Sequence, residues 1–423
     1  MTVGADVDSA AALHVRTRLL DPASAAALVD LLPADGPLVW LRRGEGLVAW
    51  GQAAAPRSAG PTRLADADKW WSETVARAVV DDAVGEPGTG LLCFGSFAFA
   101  DEPGDSVLVV PNVIVGRRGD LAWITTIEAG RFVDGATLEH GDEPLAPVDL
   151  AVSGGALDDG AWSGAVAEAV ARIGAGDLEK VVLARDLVAT ASAPIDVRWP
   201  LRRLVEAYPT CWTFHVDGLF GATPELLVRR ERGLVTSRVL AGTIRRTGDE
   251  ERDLALAGTL AHSSKDLEEH EYAVRSVADA LEPHCSSMNV PEAPFVLHLP
   301  NVMHLATDVA GVVHDSGLVS SLALAAALHP SAAVGGTPTA DAVALVAGLG
   351  AMPRGRYAGP VGWMDAAGDG EWGIALRSAE IDPADPARVR LFAGCGIVAD
   401  SDPAAELAEA AAKFVPVREA LGG

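Results

Sequence analysis

A charged stripe near the carboxyl terminus is the clearest candidate for chemistry in this sequence. In the segment SDPAAELAEAAAKF, Glu406, Glu409 and Lys413 stand at i, i+3 and i+7 among alanines, so a helix places them on one face. If that face is solvated, Glu409 and Lys413 form an ordinary surface pair worth roughly 0.2–0.5 kcal/mol. If it faces a cleft, the two carboxylates are one turn apart and suit Mg²⁺, which prefers oxygen ligands.

A lysine at the start of a predicted strand is the second candidate. In the segment EKVVLAR, strand alternation places Lys180, Val182 and Ala184 on one face. A lysine at a strand end usually extends its ammonium group to water. In a partly dry cleft a lysine is more readily neutral, and the free amine then accepts a proton near pH 7. The local pattern is compatible with both interpretations.

Three further kinds of segment carry polar side chains or small residues. The segment SSKDLEEHEYAV predicts an acidic helix that includes Glu269, and TPELL places Glu225 at a strand entrance. Glycine-bearing turns in VLAGTIRR and LFAGCGIVADSDP allow backbone N–H groups to approach an anion. His298 and His304 fall on one face of an extended chain, a pattern more typical of a polar core than of a metal site. None of these segments matches a P-loop or a dinucleotide fingerprint.

The composition restricts the classes of function. Of the 423 residues 49% are apolar, and 33 basic against 58 acidic residues give a net charge of −25. Such a charge repels nucleic acid and anionic membranes, so we expect neither as a partner. An anionic substrate would need local positive charge or a cation. Four widely spaced cysteines predict neither a metal cluster nor a disulfide framework.

The sequence shows neither an export signal nor a membrane-spanning segment. The amino-terminal sequence lacks the basic start and apolar block of a signal peptide. The longest apolar run, LALAAAL, is far shorter than the ~20 residues that span a bilayer. We therefore expect a cytoplasmic protein.

The helices and strands that must position these residues follow an order typical of an α/β or α+β protein rather than of a repeat array. Residues 1–150 are rich in short strands, and a connection rich in Pro, Gly and Asp leads into a catalytic part at 155–420. We expect one structural domain over 1–423. The pattern predicts a strand pair near 212–240, one helix near 252–282 and a last helix from residue 402. The segment AWSGAVAEAVARIGAG predicts a helix with an apolar face formed by Trp162, Val166, Ala169, Val170 and Ile173.

Eight short motifs, taken in chain order, closely resemble the chorismate-utilising enzyme family. They are KVVLAR, TPELLVR, LAGT, KDLEEHEYAV, HLATDVAG, LHPSAAVGGTP, GRYAGPVGWMDAAGDGEWGIALRSAEI and FAGCGIVADSDPAAELAEAAAKF. They cover residues 160–415 and are most similar to the isochorismate synthases, whereas the amino-terminal third agrees only loosely, through FGSFAF. The resemblance implies one α/β (α+β) body of two large, stacked, mainly antiparallel sheets flanked by helices.

The resemblance also implies a reaction and its main residues. Isochorismate synthases convert chorismate to isochorismate, with water entering at C2 while the C4 hydroxyl leaves, and with Mg²⁺ as cofactor. By motif, Lys180 resembles the general base that activates water. Glu225 resembles the general acid, a role that needs a carboxyl pKa raised by burial or by nearby negative charge. Glu269 and Glu409 resemble the holders of Mg²⁺, with Glu406 beside them.

Other residues match positions that bind the substrate in the family. Arg377 and the backbone around Gly394 resemble the clamp for the enolpyruvyl carboxylate, where a guanidinium offers bidentate geometry. Lys413 would face the ring carboxylate. Cys395 stands at a position where the family usually has a smaller residue, a change expected to be neutral. The ring pocket would be lined by Ala241, Gly242, Thr243, His304 and Thr307.

Three alternatives remain beside an isochorismate synthase. Salicylate synthases share the lysine, the acid and the glutamates, and then eliminate pyruvate from isochorismate. Anthranilate and aminodeoxychorismate synthases do not keep the lysine at position 180, and the latter type has a nucleophilic lysine in place of Ala241. A chorismate-binding protein without activity would need no acid/base pair. We expect chorismate as the small-molecule partner and a monomer, in either the menaquinone or a siderophore pathway.

Overall fold

The computed structural model of the protein describes residues 12–102, 104–133, 138, 142–314, 319–349 and 352–422, without the side chain of Lys265. The ends of the expected 1–423 domain, the amino-terminal segment inspected for a signal peptide and part of the 139–160 connection lie outside these ranges. The α-helices are α1 (Arg63–Arg77), α2 (Asp159–Gly174), α3 (Arg198–Ala207), α4 (Glu250–Ala261), α5 (Ser264–Leu281), α6 (Ser321–Leu328), α7 (Thr339–Gly348) and α8 (Pro403–Leu421). Within the described ranges, no helix combines the length and the apolarity needed to cross a bilayer.

The strands are distributed along the whole described chain. They are β1 (Leu13–Leu20), β2 (Leu38–Arg42), β3 (Glu45–Trp50), β4 (Arg57–Ser58), β5 (Val79–Asp82), β6 (Leu92–Ser96), β7 (Ser106–Val109), β8 (Val113–Arg118), β9 (Leu121–Ala129), β10 (Ala151–Gly154), β11 (Lys180–Thr190), β12 (Trp212–Val216), β13 (Leu219–Thr223), β14 (Leu226–Glu231), β15 (Leu234–Arg245), β16 (Cys285–Asn289), β17 (Phe295–His298), β18 (Val302–Val313), β19 (Gly336–Thr337), β20 (Pro360–Asp365), β21 (Gly370–Ile374), β22 (Ser378–Asp382) and β23 (Asp385–Ile397).

These strands form two sheets. The larger has the order β10-β11-β23-β22-β13-β12-β2-β3-β8-β9-β1-β5, with β19 added beside β11. The smaller has the order β16-β18-β15-β14-β21-β20-β6-β7-β4, with β17 added beside β18. The β1–β5 pair is parallel, whereas ladders such as β11–β23 in the larger sheet and β15–β18 in the smaller are antiparallel. The predicted fold of two large, mainly antiparallel sheets with helices is therefore confirmed.

Two apolar cores lie on the two faces of the larger sheet. One core joins the sheets and contains Trp40 from the larger sheet with Phe94 and Trp372 from the smaller. The other lies under α2, α3 and α8 and includes Leu201 and Phe414. Large aromatic side chains dominate such cores because each buries about 150–250 Å².

Strand β11 shows how the sequence pattern separates core from site. Val181 and Leu183 face the core under the helices, whereas Lys180 and Val182 point to the opposite face, where they line a cavity. Ala184 continues that face into the core between the sheets. The alternation predicted for this strand is therefore confirmed.

Helix α8 begins where the sequence predicts it. The Asp402 carboxylate accepts hydrogen bonds from the backbone N–H groups of Ala404 and Ala405, which satisfies donors that lack a partner within the helix. Pro403 occupies the first turn, where its missing N–H costs nothing. The helix packs on β23, α2 and α3, so its inner face is held against the larger sheet.

Two predicted elements are wrong in detail. The single helix expected near 252–282 is two helices, because the Ser263 hydroxyl accepts a hydrogen bond from the Asp266 N–H and so starts α5 as a new helix. The strand pair expected near 212–240 is four strands, β12–β15. A tight hairpin at Asp217-Gly218 separates β12 from β13, and another at Arg232-Gly233 separates β14 from β15. Both residues of each pair have positive φ, as a two-residue hairpin of type I′ requires.

Replacing Trp162 on α2 tests the core under the helices. Trp162 is 1% exposed and packs with Val166, Ala169 and Ile173, as the apolar stripe predicts. We expect Trp162→Ala to lower the free energy of unfolding by about 3–5 kcal/mol, because it removes buried area and leaves a cavity. Urea denaturation measures this value. Glu168→Ala on the exposed face of the same helix should change it by less than about 0.5 kcal/mol, and equal effects of the two changes would contradict the packing described.

Candidate active site

A cavity of about 340 Å³ lies where β11 and β23 of the larger sheet approach β15 and β18 of the smaller. Helices α5 and α8 close its sides. Of the residues predicted for the site, the following line this cavity: Lys180, Glu225, Ala241, Gly242, Thr243, Glu269, His304, Arg377, Gly394, Glu406, Glu409 and Lys413. Segments far apart in the sequence therefore converge on one space.

Lys180 is a partly buried cavity residue and not a solvated strand end. Its side chain is 13% exposed, and its Nζ atom lies 2.5 Å from the Oε1 atom of Glu269 on α5. The neighbouring strand leaves room for it, because a Cβ atom at Gly396 would lie only 2.8 Å from the lysine Cε atom. The glycine in β23 thus permits the path that carries the ammonium group to α5.

Glu225 occupies the turn between β13 and β14 and is buried. Burial raises the pKa of its carboxyl to about 7, although the positive charges of Lys180, Arg377 and Lys413 oppose the shift. A carboxyl group with that pKa is substantially protonated near neutral pH and is able to donate a proton. A raised carboxyl pKa is the property that the role of general acid requires.

The stripe of α8 faces the cavity rather than solvent. The Lys413 ammonium lies 2.6 Å from a Glu409 carboxylate oxygen and donates a hydrogen bond to the Gly394 carbonyl, 2.8 Å away. Burial alone would raise the pKa of Glu409, but the Lys413 charge and hydrogen bond outweigh it, so the pKa is lowered. Glu409 is therefore ionised and joined to β23 through the lysine.

Glu406, one turn earlier, has an incompletely satisfied carboxyl group. Its Oε1 atom accepts a hydrogen bond from the Ser401 hydroxyl at 2.7 Å, whereas its buried Oε2 atom has no hydrogen-bond partner. Burial raises the pKa of this carboxyl, and the Ser401 hydrogen bond opposes the shift. An orphaned buried carboxylate oxygen is expensive unless a cation or donor approaches it.

The acidic residues of the cavity fit a hard divalent cation. Glu269, Glu406 and Glu409 line the same space and offer the carboxylate oxygens that Mg²⁺ prefers. Two of the three are neutralised here by lysines, Glu269 by Lys180 and Glu409 by Lys413, while Glu406 keeps its orphaned oxygen. The donor set is thus suitable in kind, and a cation would compete with the two ammonium groups for it.

Arg377 provides another cation in the same cavity. It precedes β22 with a φ of 48°, a left-handed conformation that is costly for a residue with a side chain and that concentrates at functional sites. Among the described residues, no carboxylate forms an ion pair with its guanidinium. Gly394 lies across from it on β23, where a Cβ atom would meet the Leu183 carbonyl at 2.7 Å. Arg377 and Gly394 thus line one cavity, and a guanidinium offers the bidentate geometry that a carboxylate clamp requires.

A bulge in β15 shapes the end of the cavity. The register with β18 shifts between Ala241 and Thr243, and Gly242 between them has a φ of 76°, which favours glycine. His304 on β18 accepts or donates at its Nδ1 atom with the Thr243 hydroxyl, 3.0 Å away. Burial lowers the pKa of His304 to about 3, so its imidazole is neutral, and its buried Nε2 atom is unpartnered.

One predicted site residue, Thr307, does not line the cavity, and one predicted core histidine is exposed. Thr307 is not among the residues that line the cavity, because its hydroxyl turns to the buried His270 Nε2 atom at 2.8 Å. Successive side chains of β18 point to opposite faces of the sheet. Thr307 is three positions from His304 and therefore lies on the other face. His298 is exposed on β17, so the polar core predicted for the two histidines holds only for the buried His304.

Tyr357 and Arg354 also line the cavity, although the sequence did not predict them as site residues. Tyr357 is buried, and its ring stacks on Phe392 with centroids 5.2 Å apart; burial raises the pKa of its phenol, which therefore stays a neutral hydrogen-bond group. Arg354 stacks over the Phe99 ring at 4.1 Å and donates a hydrogen bond to the Val334 carbonyl. Tyr357 stands inside the quoted motif GRYAGPVGW, but no charge pattern or spacing marks either residue.

Known proteins share both the sequence and the fold of this chain. It is 43% identical over 258 residues to a protein of Mycobacterium tuberculosis named putative isochorismate synthase MenF. The aligned region covers 58% of this chain and 68% of that protein. It is 34% identical over 416 residues to the salicylate biosynthesis isochorismate synthase of Pseudomonas aeruginosa, covering 91% and 84% of the two chains.

The solved structures agree with this similarity. A putative 2,3-dihydroxybenzoate-specific isochorismate synthase, DhbC from Bacillus anthracis, superposes with a TM-score of 0.78 at 30% identity, over 94% of this chain and 99% of that one. Anthranilate synthase component I from Streptococcus pneumoniae shares the fold, with a TM-score of 0.69 at 21% identity over 88% and 91% of the chains. The family model described as chorismate binding enzyme matches residues 17–422, and this chain therefore belongs to the chorismate-binding enzyme family.

Proposed function

We propose that this chain is an isochorismate synthase that converts chorismate to isochorismate with Mg²⁺ as cofactor. The observation that carries the proposal is that Lys180 and Glu225 line one cavity, with the carboxyl pKa of Glu225 raised to about 7 by burial. Exchange of a hydroxyl between two ring positions needs a base at one carbon and an acid at the other. The relatives named isochorismate synthases support the choice of substrate.

In the proposed mechanism Lys180 acts, as the free amine, on the water that enters at C2. Its Nζ atom accepts a proton from that water, and the resulting ammonium is the form that the structure pairs with the Glu269 carboxylate 2.5 Å away. Water is a weak nucleophile, so removing its proton as it attacks is worth about 10²–10⁴ in rate. The partial burial of the lysine keeps other water from competing for the same atom.

Glu225 acts at C4. Hydroxide is a poor leaving group, and the protonated carboxyl donates its proton to the C4 oxygen so that water departs instead. Desolvation of the turn between β13 and β14 keeps the proton on this carboxyl near neutral pH. Burial of Glu225 thus supplies the protonated carboxyl group that the role of the acid requires.

The two substrate carboxylates explain the remaining charges. The Arg377 guanidinium and the backbone at Gly394 would hold the enolpyruvyl carboxylate, and Lys413 would face the ring carboxylate. Glu269, Glu406 and Glu409 would hold Mg²⁺, which when bound neutralises a substrate carboxylate. This local arrangement admits a dianion into a protein with a net charge of −25.

The alternatives are separated by chemistry rather than by architecture. A salicylate synthase would use the same acid and base and then release pyruvate. The lysine at position 180 disfavours an anthranilate synthase, and an inactive chorismate-binding protein has no need of Glu225 in its raised-pKa environment. We place the enzyme in the cytoplasm as a monomer that serves menaquinone or siderophore synthesis.

Product analysis with a base variant tests the proposed function. Wild-type protein with chorismate and Mg²⁺ should give isochorismate alone. Lys180→Ala should lower turnover by about 10²–10⁴ while chorismate binding, measured by calorimetry, is largely kept. Lys69→Ala, an exposed lysine on α1, is the matched control and should match the wild type. Salicylate with pyruvate would assign the alternative enzyme, and undiminished turnover in Lys180→Ala would remove the base assignment.

The pH dependence of the reaction tests the acid. Because the pKa of Glu225 is raised to about 7, the proton-donating form predominates below pH 7 and is lost above it. The value of kcat/KM should therefore fall about tenfold per pH unit on the alkaline side of pH 7. Glu225→Gln cannot donate the proton and should be about 10²–10⁴ slower, without this alkaline limb. An identical limb in Glu225→Gln would assign the titration to another group.

Metal dependence tests the carboxylates of α8. Glu409→Gln removes one negative oxygen ligand and should raise the Mg²⁺ concentration for half-maximal rate by roughly 10- to 100-fold. Glu419→Gln, on the exposed face of the same helix, should leave the Mg²⁺ titration unchanged. An unaltered titration in Glu409→Gln would exclude this residue from the metal site.

A further inference from the structure

A second cavity, called the outer cavity below, opens to solvent beside the candidate active site. It measures about 280 Å³ and is lined by residues of α5, of β19 and of the turn from β23 to α8. Its exposed lining residues are Glu179, Glu268, Tyr272, Ala399 and Asp400. Its inner wall includes the buried Ala273 and Ala332. The outer cavity therefore runs from the surface of the protein toward Lys180.

The Lys180–Glu269 pair stands at the boundary between the outer cavity and the active-site cavity. Four residues line both spaces, and they are Lys180, Glu269, Val398 and Asp400. The lysine Nζ atom lies 2.5 Å from the Glu269 carboxylate, and Gly396 places no side chain beside the lysine Cε atom. Lys180 is thus reached from two cavities.

We propose that the outer cavity delivers the water that Lys180 activates, so that water and chorismate reach the site by separate routes. The proposal rests on the proposed function, because it concerns the nucleophile of that reaction. A ligand pocket buries about 70–90% of the surface of its ligand, so bound chorismate would cover the open side of the active-site cavity. Water for C2 then needs a path that the substrate does not occupy.

Charge and size distinguish the two routes. Glu179 and Glu268 place carboxylates at the rim of the outer cavity, where they repel a dianion but not neutral water. The active-site cavity instead contains the Arg377 guanidinium, which has no ion-paired carboxylate among the described residues. The outer cavity, at about 280 Å³, exceeds the ~10–15 Å³ that one water needs and offers polar partners at its inner end.

Three exposed alanines near the start of α8 allow the two routes to be blocked separately. Of the two cavities, Ala399 lines the outer one, Ala405 lines the active-site one and Ala404 lines neither. Ala399→Trp should lower kcat by about 10- to 100-fold, a part of the 10²–10⁴ that a general base contributes, and should leave the KM for chorismate unchanged. Ala405→Trp should instead raise that KM, and Ala404→Trp is the matched control and should equal the wild type.

A second substitution tests whether a blocked path causes the loss. Tyr272 on α5 forms another part of the wall of the outer cavity, so removing its ring makes room beside an introduced tryptophan. Ala399→Trp combined with Tyr272→Ala should recover most of the lost kcat, which a distorted site would not do. Thermal unfolding shows whether each variant is folded, and Ala399→Val, a smaller addition, should give an intermediate kcat.

The outcomes separate the water route from the proposed function. Undiminished kcat in folded Ala399→Trp, with a wild type that forms isochorismate, would overturn the route and leave the function intact. A raised KM in place of a lowered kcat would mean that chorismate enters through the outer cavity, and it would also overturn the route. A lowered kcat that Tyr272→Ala does not restore would assign the loss to distortion and contradict the proposal. A wild type that forms no isochorismate would reject the function, and the route with it.

Discussion

The antiparallel ladder between β11 and β23 is the interaction on which the site depends. It pairs Val181 with Ile397 and continues to Thr190 and Arg388, so the start of one strand is fixed against the end of the other. That register brings Lys180 beside Gly396, where the missing side chain leaves space for the lysine. Because β23 leads into α8 after a short turn, the same ladder also sets where the helix begins.

Charge compensation is the second constraint, and it links this ladder to the helices. The Lys180 ammonium is paired with Glu269 of α5, and the Lys413 ammonium is paired with Glu409 of α8. A buried charge without a partner costs several kcal/mol, so these pairs keep the cavity stable when no substrate neutralises it. Ligands that displace one partner must supply an equivalent charge, so under the proposed function an anionic substrate and a cation would depend on each other in one cavity.

Periodicity predicted the parts of the site that lie within regular elements. The helical spacing of Glu406, Glu409 and Lys413 indicated one face, and strand alternation separated Lys180 from Val181, because both patterns are local properties of the backbone. It did not decide whether those faces met solvent or a cleft. That depends on how β11, β23 and the helices pack, which no local pattern contains.

Other features depended on contacts between distant segments. The raised pKa of Glu225 arises from burial by both sheets, so the sequence indicated only that such a shift was needed. Thr307 matched a family motif, but the hydroxyl of this side chain is turned to His270. The left-handed backbone at Arg377 and the stacking of Tyr357 on Phe392 leave no signal in spacing.

In the proposed reaction, water activated by Lys180 enters the ring while the original hydroxyl leaves with a proton from Glu225. Mass spectrometry of isochorismate formed from chorismate and Mg²⁺ in ¹⁸O-labelled water tests this reaction. Each product molecule should contain one solvent oxygen, located at C2. Isochorismate that contains no label would mean that the hydroxyl migrates within the substrate, and it would contradict the assignment of this cavity to water addition.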